Sequence, residues 1–137
     1  MRLLVDTNVF LDVLLDRKDL ADISDFFFRK AKSLNHQLII CTTCFKDLAY
    51  FLFKVYHDTK KVNEILKELY AEVDKIVGIT ADDTIKAIYM DGDYEDNLLV
   101  NTCQTCSCDI LITNNVKHFK NKGINVMTPL KYLEFTN

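Results

Sequence analysis

The stretch Arg2-Leu3-Leu4-Val5-Asp6-Thr7-Asn8-Val9-Phe10-Leu11-Asp12 decides how the rest of the chain is read. Arg2–Val5 is a short apolar run that ends abruptly at a carboxylate, as in a buried strand whose C-terminal end carries a polar site. A charge directly after Leu3-Leu4-Val5 costs free energy unless it is paired or metal-bound. Asp6 is therefore a functional candidate from its position alone. The residues after it, Asn8–Asp16, predict a short helix.

Further along, the same alternation recurs. Asp19 is a plausible N-cap, with Asp22 three residues on, for a helix whose apolar face is Leu20, Ile23, Phe27, Ala31 and Leu34. Leu38–Ile40 predicts a second strand. Thr42 or Thr43 can cap the next helix, with Phe45, Leu48, Leu52, Val55 and Tyr56 on one face, and a further helix carries Val62, Ile65, Leu66, Leu69 and Val73. Ile76–Ile79 predicts a third strand, and Thr80 with Asp83 caps the helix that follows. Asp91-Gly92 breaks that helix, and Asp93 starts another with Leu98, Leu99, Thr102, Cys103 and Cys106 along one side. Ile110–Ile112 predicts a fourth strand and Asn125–Met127 a fifth. Short apolar strands alternating with helices imply an α/β fold, with a mainly parallel sheet of four to five strands covered by helices on both faces.

That architecture carries a rule about function, because sites in open α/β sheets lie outside the carboxyl ends of the strands. Asp6 follows the first strand, and Asn115 lies just past the fourth. Asp47 falls in the first turns of the helix after the second strand, and Asp96 in the first turn of the helix before the fourth. These four oxygen-bearing residues, far apart in sequence, can converge on one edge. Phosphodiester hydrolysis needs an activated nucleophile and a means of offsetting charge on the phosphoryl oxygens, and divalent ions supply both. Mg²⁺ and Mn²⁺ prefer oxygen ligands, which such a cluster offers. A helix-start carboxylate has a second reading as a cap or dipole partner. Asp93 can be the N-cap of its helix with Glu95 and Asp96 favourable in the first turn, and Asp47 can be a solvated residue beside Lys46.

Composition sets bounds on these readings. A chain of 137 residues fits one domain, residues 1–137, and three Gly with one Pro leave little room for linkers. The first residues lack the uninterrupted apolar stretch of a signal peptide, no run approaches membrane-spanning length, and five cysteines are an odd number. The expectation is a cytoplasmic protein with free thiols. The formal net charge of -3 runs against the basic footprint of nucleic-acid binders, unless part of it belongs to an acidic pocket that cations neutralise.

The run Leu3-Leu4-Val5-Asp6-Thr7-Asn8-Val9-Phe10-Leu11-Asp12 resembles the opening signature of PIN domains, including the VapC-type toxins. Asp93-Tyr94-Glu95-Asp96-Asn97-Leu98 is similar to a second family motif, and Ile110-Leu111-Ile112-Thr113-Asn114-Asn115-Val116-Lys117-His118-Phe119 to the closing one. The three appear in the family's order across nearly the whole chain. The resemblance implies a PIN-like fold and a metal-dependent endoribonuclease that cuts RNA through a metal-bound water. It implies Asp6 as the first carboxylate binding Mg²⁺ or Mn²⁺ and Asp96 as the third. The family's second acidic residue is usually a Glu. Here the matching segment offers Asp47, one methylene shorter. The fourth position, often Asp, is Asn115, an uncharged donor for which Glu95 or Asp93 can compensate. Thr7, Asn8 and Thr113 are then residues that aim the carboxylates by hydrogen bonds. Arg2, Lys46, Lys117 and His118 are candidates for gripping the RNA backbone, with unpaired RNA the favoured substrate. The resemblance also implies an antitoxin partner and a homodimer, with Phe26, Phe28, Phe51 and Phe53 as interface candidates.

Other patterns point elsewhere. Cys41-x-x-Cys44 and Cys103-x-x-Cys106 have the pair spacing of a zinc site, but buried Cys as a small hydrophobe is the favoured reading, and a thioredoxin-type redox role for Cys41 and Cys44 ranks lower still. Phe26, Phe27 and Phe28 cannot all face one core from a helix. Two other functions compete with the nuclease. One is a catalytically degenerate PIN domain that binds RNA or protein, motivated by Asn115 and Asp47. The other, ranked last, is a phosphatase or nucleotide hydrolase with Asp6 as nucleophile, which would need a phosphate-cradling loop that scarce Gly does not provide.

Overall fold

The computed structural model describes all residues from Met1 to Asn137. Its centre is β1 (Arg2–Val5), where Leu3, Leu4 and Val5 are fully buried. β1 pairs in parallel with β2 (Gln37–Cys41) on one side and β4 (Ile110–Ile112) on the other. β3 (Lys75–Val77) and β5 (Val126–Met127) extend the sheet outward, giving the order β3-β2-β1-β4-β5 with every pair parallel. Parallel strands buried on both faces read as continuous apolar runs rather than alternating ones, which is why Leu3-Leu4-Val5, Leu38-Ile39-Ile40 and Ile110-Leu111-Ile112 carry no polar residue.

Seven α-helices flank the sheet: α1 (Thr7–Leu14), α2 (Ala21–Ser33), α3 (Thr42–Tyr56), α4 (Thr59–Glu72), α5 (Ala81–Tyr89), α6 (Tyr94–Thr105) and α7 (Pro129–Phe135). A single 3₁₀ turn, Val116–Phe119, follows β4. Helix α2 packs on α1 and α7, α3 packs on α4, and α5 packs on α6. No helix is long and apolar enough to cross a membrane.

Local chemistry explains most of the helix starts. Thr80 and Asp83 form a reciprocal capping box on α5, and the Asp93 carboxylate accepts from the Asp96 N–H at the start of α6. Two expected caps differ. Helix α2 begins at Ala21 with no side-chain cap, because Asp19 sits in the left-handed region at φ 65° and the Leu20 and Ala21 N–H groups donate to the Arg17 carbonyl instead. Helix α3 starts at Thr42 itself, so neither Thr42 nor Thr43 is its cap. The capping position is Cys41, also the last residue of β2. β3 also begins one residue earlier than Ile76 and ends at Val77, before Ile79.

The Phe triplet divides as helical geometry demands. Phe27 is buried against Tyr132, Phe28 is half-buried and stacked on Phe10 at 5.2 Å, and Phe26 is exposed with the Arg29 guanidinium over its ring. Phe28 thus belongs largely to the core, while Phe26, Phe51 and Phe53 remain at the surface.

Leu4→Ala in the central strand removes a fully buried side chain from the core. It should lower unfolding free energy by about 3 kcal/mol, checked by urea denaturation.

Candidate functional site

The strand order reverses at β1, whose neighbours β2 and β4 depart in opposite directions, and the carboxyl ends of these strands open into a cleft of about 680 Å³. Ligand sites in open parallel sheets lie at this position. Asp6, Asp47, Asp96 and Asn115 all line it, as do Thr7, Asn8, Asp93 and Glu95. Thr113 is buried immediately behind them. The candidates named from sequence therefore reach one cleft from four elements: the end of β1, the second turn of α3, the first turn of α6 and the segment after β4.

Asp6 is the most constrained of these groups. Its Oδ1 accepts from the Thr7 N–H at 2.7 Å, and its Oδ2 accepts from the Thr113 hydroxyl at 2.7 Å and the Asn8 side-chain amide at 3.1 Å. The Thr113 hydroxyl oxygen in turn accepts from the Asn115 N–H at 3.1 Å, and the Asn114 N–H donates to Asn8 Oδ1 at 3.1 Å. Thr7, Asn8 and Thr113 thus fix the direction of the carboxylate, and Thr7 does so through its backbone. Burial pushes the Asp6 carboxyl above its ordinary value of 3.8, and the negative charge of Asp96 adds to the rise, while the Thr113, Thr7 and Asn8 hydrogen bonds oppose it.

Asp96 is also raised, first by burial and then by Asp93, with His118 opposing. The His118 Nδ1 lies 3.3 Å from Asp96 Oδ2. Asp93 combines both roles considered for it, capping α6 and lining the cleft. A raised carboxyl pKa means the folded state holds its proton more tightly than the unfolded chain. The stability these two groups add is fully present below the ordinary carboxylate value and is lost as pH rises through the raised one. At neutral pH the ionised pair is a cost, which a bound cation would offset.

The oxygen donors of Asp6, Asp47 and Asp96 fit a hard divalent cation in kind. No three acidic, cysteine or histidine side chains are close enough together to form a ready-made metal site. The neighbourhood is acidic and shared, not a closed cage.

The expected backbone-gripping residues divide sharply. Lys46 and His118 line the cleft, whereas Arg2 sits at the opposite end of β1 and donates to the Gln37 side chain at 2.9 Å and the Cys106 carbonyl at 2.8 Å. Arg2 is a structural tie. Lys117 is exposed but does not line the cleft. The cation missed from sequence is Arg17, whose Nη1 lies 3.6 Å from Asp12 Oδ1. Asp12 is fully buried, and its Oδ2 accepts from Ser24 Oγ and Asn114 Nδ2, both at 2.8 Å. A chain of contacts therefore runs from Asp12 through Asn114 and Asn8 to Asp6. Its signal in the sequence is an acidic residue flanked by Phe10, Leu11, Val13 and Leu14, where a solvated charge would not be placed.

The two Cys-x-x-Cys pairs lie at opposite ends of the strands, Cys41 ending β2 and Cys106 preceding β4, so they do not combine into one four-thiolate site. All five thiols are free.

Residues 2–117 match the family model of the PIN domain, and the chain belongs to the PIN-domain family. No curated protein matches it. Three solved structures are similar in fold. VapBC2 from Rickettsia felis, bound to a DNA fragment from its promoter, is 16% identical with a TM-score of 0.66, over 93% of this chain and 98% of that one. FitAB bound to the IR36 DNA fragment is 12% identical with a TM-score of 0.70, over 93% and 95%. A toxin–antitoxin complex from Klebsiella pneumoniae is 21% identical with a TM-score of 0.66, over 92% and 96%.

The shared field of Asp6 and Asp96 is directly measurable. Asp96→Asn should lower the titration midpoint of Asp6, followed by carboxyl ¹³C NMR. An unchanged midpoint would mean that the two carboxylates do not sense each other.

Proposed function

We propose that this PIN domain is a divalent-metal-dependent endoribonuclease and the toxin half of a toxin–antitoxin pair. The observation that carries the reading is the convergence of Asp6, Asp47 and Asp96 on one cleft at the sheet's switch point, with Asp6 aimed by three hydrogen bonds. Asp6, Asp96 and Asp47 would hold Mg²⁺ or Mn²⁺, with Asn115 as a neutral oxygen donor at the rim. When bound, the ion supplies Lewis acidity, activating water and stabilising charge on the phosphoryl oxygens.

The chain's own residues do the rest. Thr113, Asn8 and the Thr7 N–H keep the Asp6 carboxylate in one orientation. Asp93 and Glu95 add negative charge beside Asp96, which favours a cation over an empty cleft. His118, at 3.3 Å from Asp96, limits that carboxylate's rotation and presents a ring nitrogen at the cleft wall. Arg17 and Lys46 are the basic groups placed to attract the phosphate backbone, so a net charge of -3 is compatible with an RNA substrate. Phe51 lines the same cleft and offers an apolar face to an unstacked base, which favours single-stranded or loop RNA.

An antitoxin as partner is supported by the Klebsiella pneumoniae toxin–antitoxin complex of the same fold. A homodimer is supported by the exposed aromatics Phe26 and Phe53, apolar surface that association would cover. The second reading, a non-cleaving module that binds RNA or protein, is favoured by the uncharged Asn115 and by the lack of a closed three-ligand group.

Asp6→Asn should abolish Mn²⁺-dependent cleavage of single-stranded RNA by the purified protein, and excess EDTA should do the same to the unmutated chain. Cleavage that persists in either case would defeat the nuclease reading, and calorimetry showing no Mn²⁺ binding at millimolar concentration would support the binding module. Thr113→Val, which removes one hydrogen bond to Asp6, should reduce cleavage about 10- to 100-fold, measured from initial rates.

A further inference from the structure

Cys41 and Cys44 occupy an unusual position for a thiol pair. Cys41 is both the last residue of β2 and the capping residue of α3, and Cys44 lies in the first turn of that helix. The three-residue spacing puts both side chains on the same side of the turn, with the sulfurs 3.0 Å apart. Both are free thiols, and both line the floor of the cleft that holds Asp6 and Thr7. A disulfide needs an S–S separation of about 2.05 Å. Closure therefore requires the sulfurs to approach by only about 1 Å, a distance that side-chain torsions can supply.

We propose that Cys41 and Cys44 form an oxidative modification site, a dithiol that a hydroperoxide converts into an intramolecular disulfide at the floor of the cleft. The two sulfurs take different roles. Cys41 is held near 7, chiefly by the hydrogen bond from Cys44, whereas Cys44 is raised by giving that bond and by burial. The capping position at a helix N-terminus also favours a thiolate over a thiol. The Cys41 thiolate attacks one oxygen of the hydroperoxide, breaking the O–O bond. It becomes a sulfenic acid, and the other oxygen leaves as hydroxide and takes up the thiol's proton. The Cys44 sulfur then displaces the sulfenic hydroxyl, its own proton completing a second water when the oxidant is hydrogen peroxide. Two thiols are oxidised by two electrons and one peroxide is reduced, so the step balances. The inference stands on thiol geometry and does not depend on nuclease activity.

Tryptic cleavage after Lys32 and Lys46 places both cysteines in one peptide, residues 33–46, and the other three in a different one. Folded wild-type protein is treated with a small excess of hydrogen peroxide, alkylated and digested. Peptide 33–46 should be two hydrogens lighter and unalkylated, and dithiothreitol added before alkylation should restore both alkylation sites. The synthetic peptide 33–46 should close at least about tenfold more slowly, because it lacks the strand–helix frame that holds the sulfurs together. A peptide that stays doubly alkylated, gains oxygen without cross-linking, or closes no faster in the folded protein overturns the proposal. In Cys44→Ser, dimedone should label Cys41 after the same treatment. A folded variant with unlabelled Cys41 would overturn its assignment as the attacking thiol.

Discussion

A buried strand that ends on a carboxylate is the constraint around which this molecule is organised. Leu3, Leu4 and Val5 are shut off from solvent by helices, and the next residue must carry its charge to the edge of that apolar layer. The free-energy cost is met locally by three donors drawn from two strand ends: the Thr7 N–H and Asn8 amide after β1, and the Thr113 hydroxyl after β4. Asn8 and Thr113 are themselves held by the backbone N–H groups of Asn114 and Asn115. Removing the carboxylate would leave several buried polar groups without partners, so the site and the fold are parts of one hydrogen-bonded structure.

Asp12 serves the same structure from inside. It is fully buried, ties α1 to α2 through Ser24, reaches the segment after β4 through Asn114, and holds Arg17 at the cleft wall. An isolated buried carboxylate would be strongly destabilising, but one shared among a hydroxyl, an amide and a guanidinium specifies how three segments meet. The protein thus uses one aspartate facing the cleft and one behind it, and the hydrogen bonds between them set the relative placement of β1, β4 and the loop after α1.

Much of this was legible in the chain. Continuous apolar tripeptides marked the buried parallel strands, and the abrupt change from Val5 to Asp6 and from Ile112 to Thr113 marked the edge at which polar groups gather. Thr80 with Asp83, and Asp93 before its helix, were readable because capping is local chemistry. The start of α2 was not, because backbone carbonyls took the place of the Asp19 side chain. Arg2 departs from expectation for a related reason: its residue type suits phosphate, but its position at the start of β1 puts it at the far end of the sheet. The Asp12–Arg17 pair is not legible in spacing because its meaning depends on Ser24 and Asn114, which are distant in sequence. Contacts of that kind are fixed by packing rather than by spacing.

The direct joins at the cleft rim have a mechanical consequence. β2 passes into α3 without an intervening residue, and α1 starts on the residue after Asp6, so neither segment has slack. On the opposite wall the turn before α6 is pinned, since the Asp91 carbonyl accepts from both Lys122 Nζ and the Asn97 amide. Under the proposed metal-binding reading, accommodation to ions of different radius would come from torsions about the Asp47 and Asp96 side chains instead of from main-chain displacement. Ionic size discrimination in such a frame would be a question of side-chain length, with Asp47, one methylene shorter than a Glu, setting the lower limit of reach.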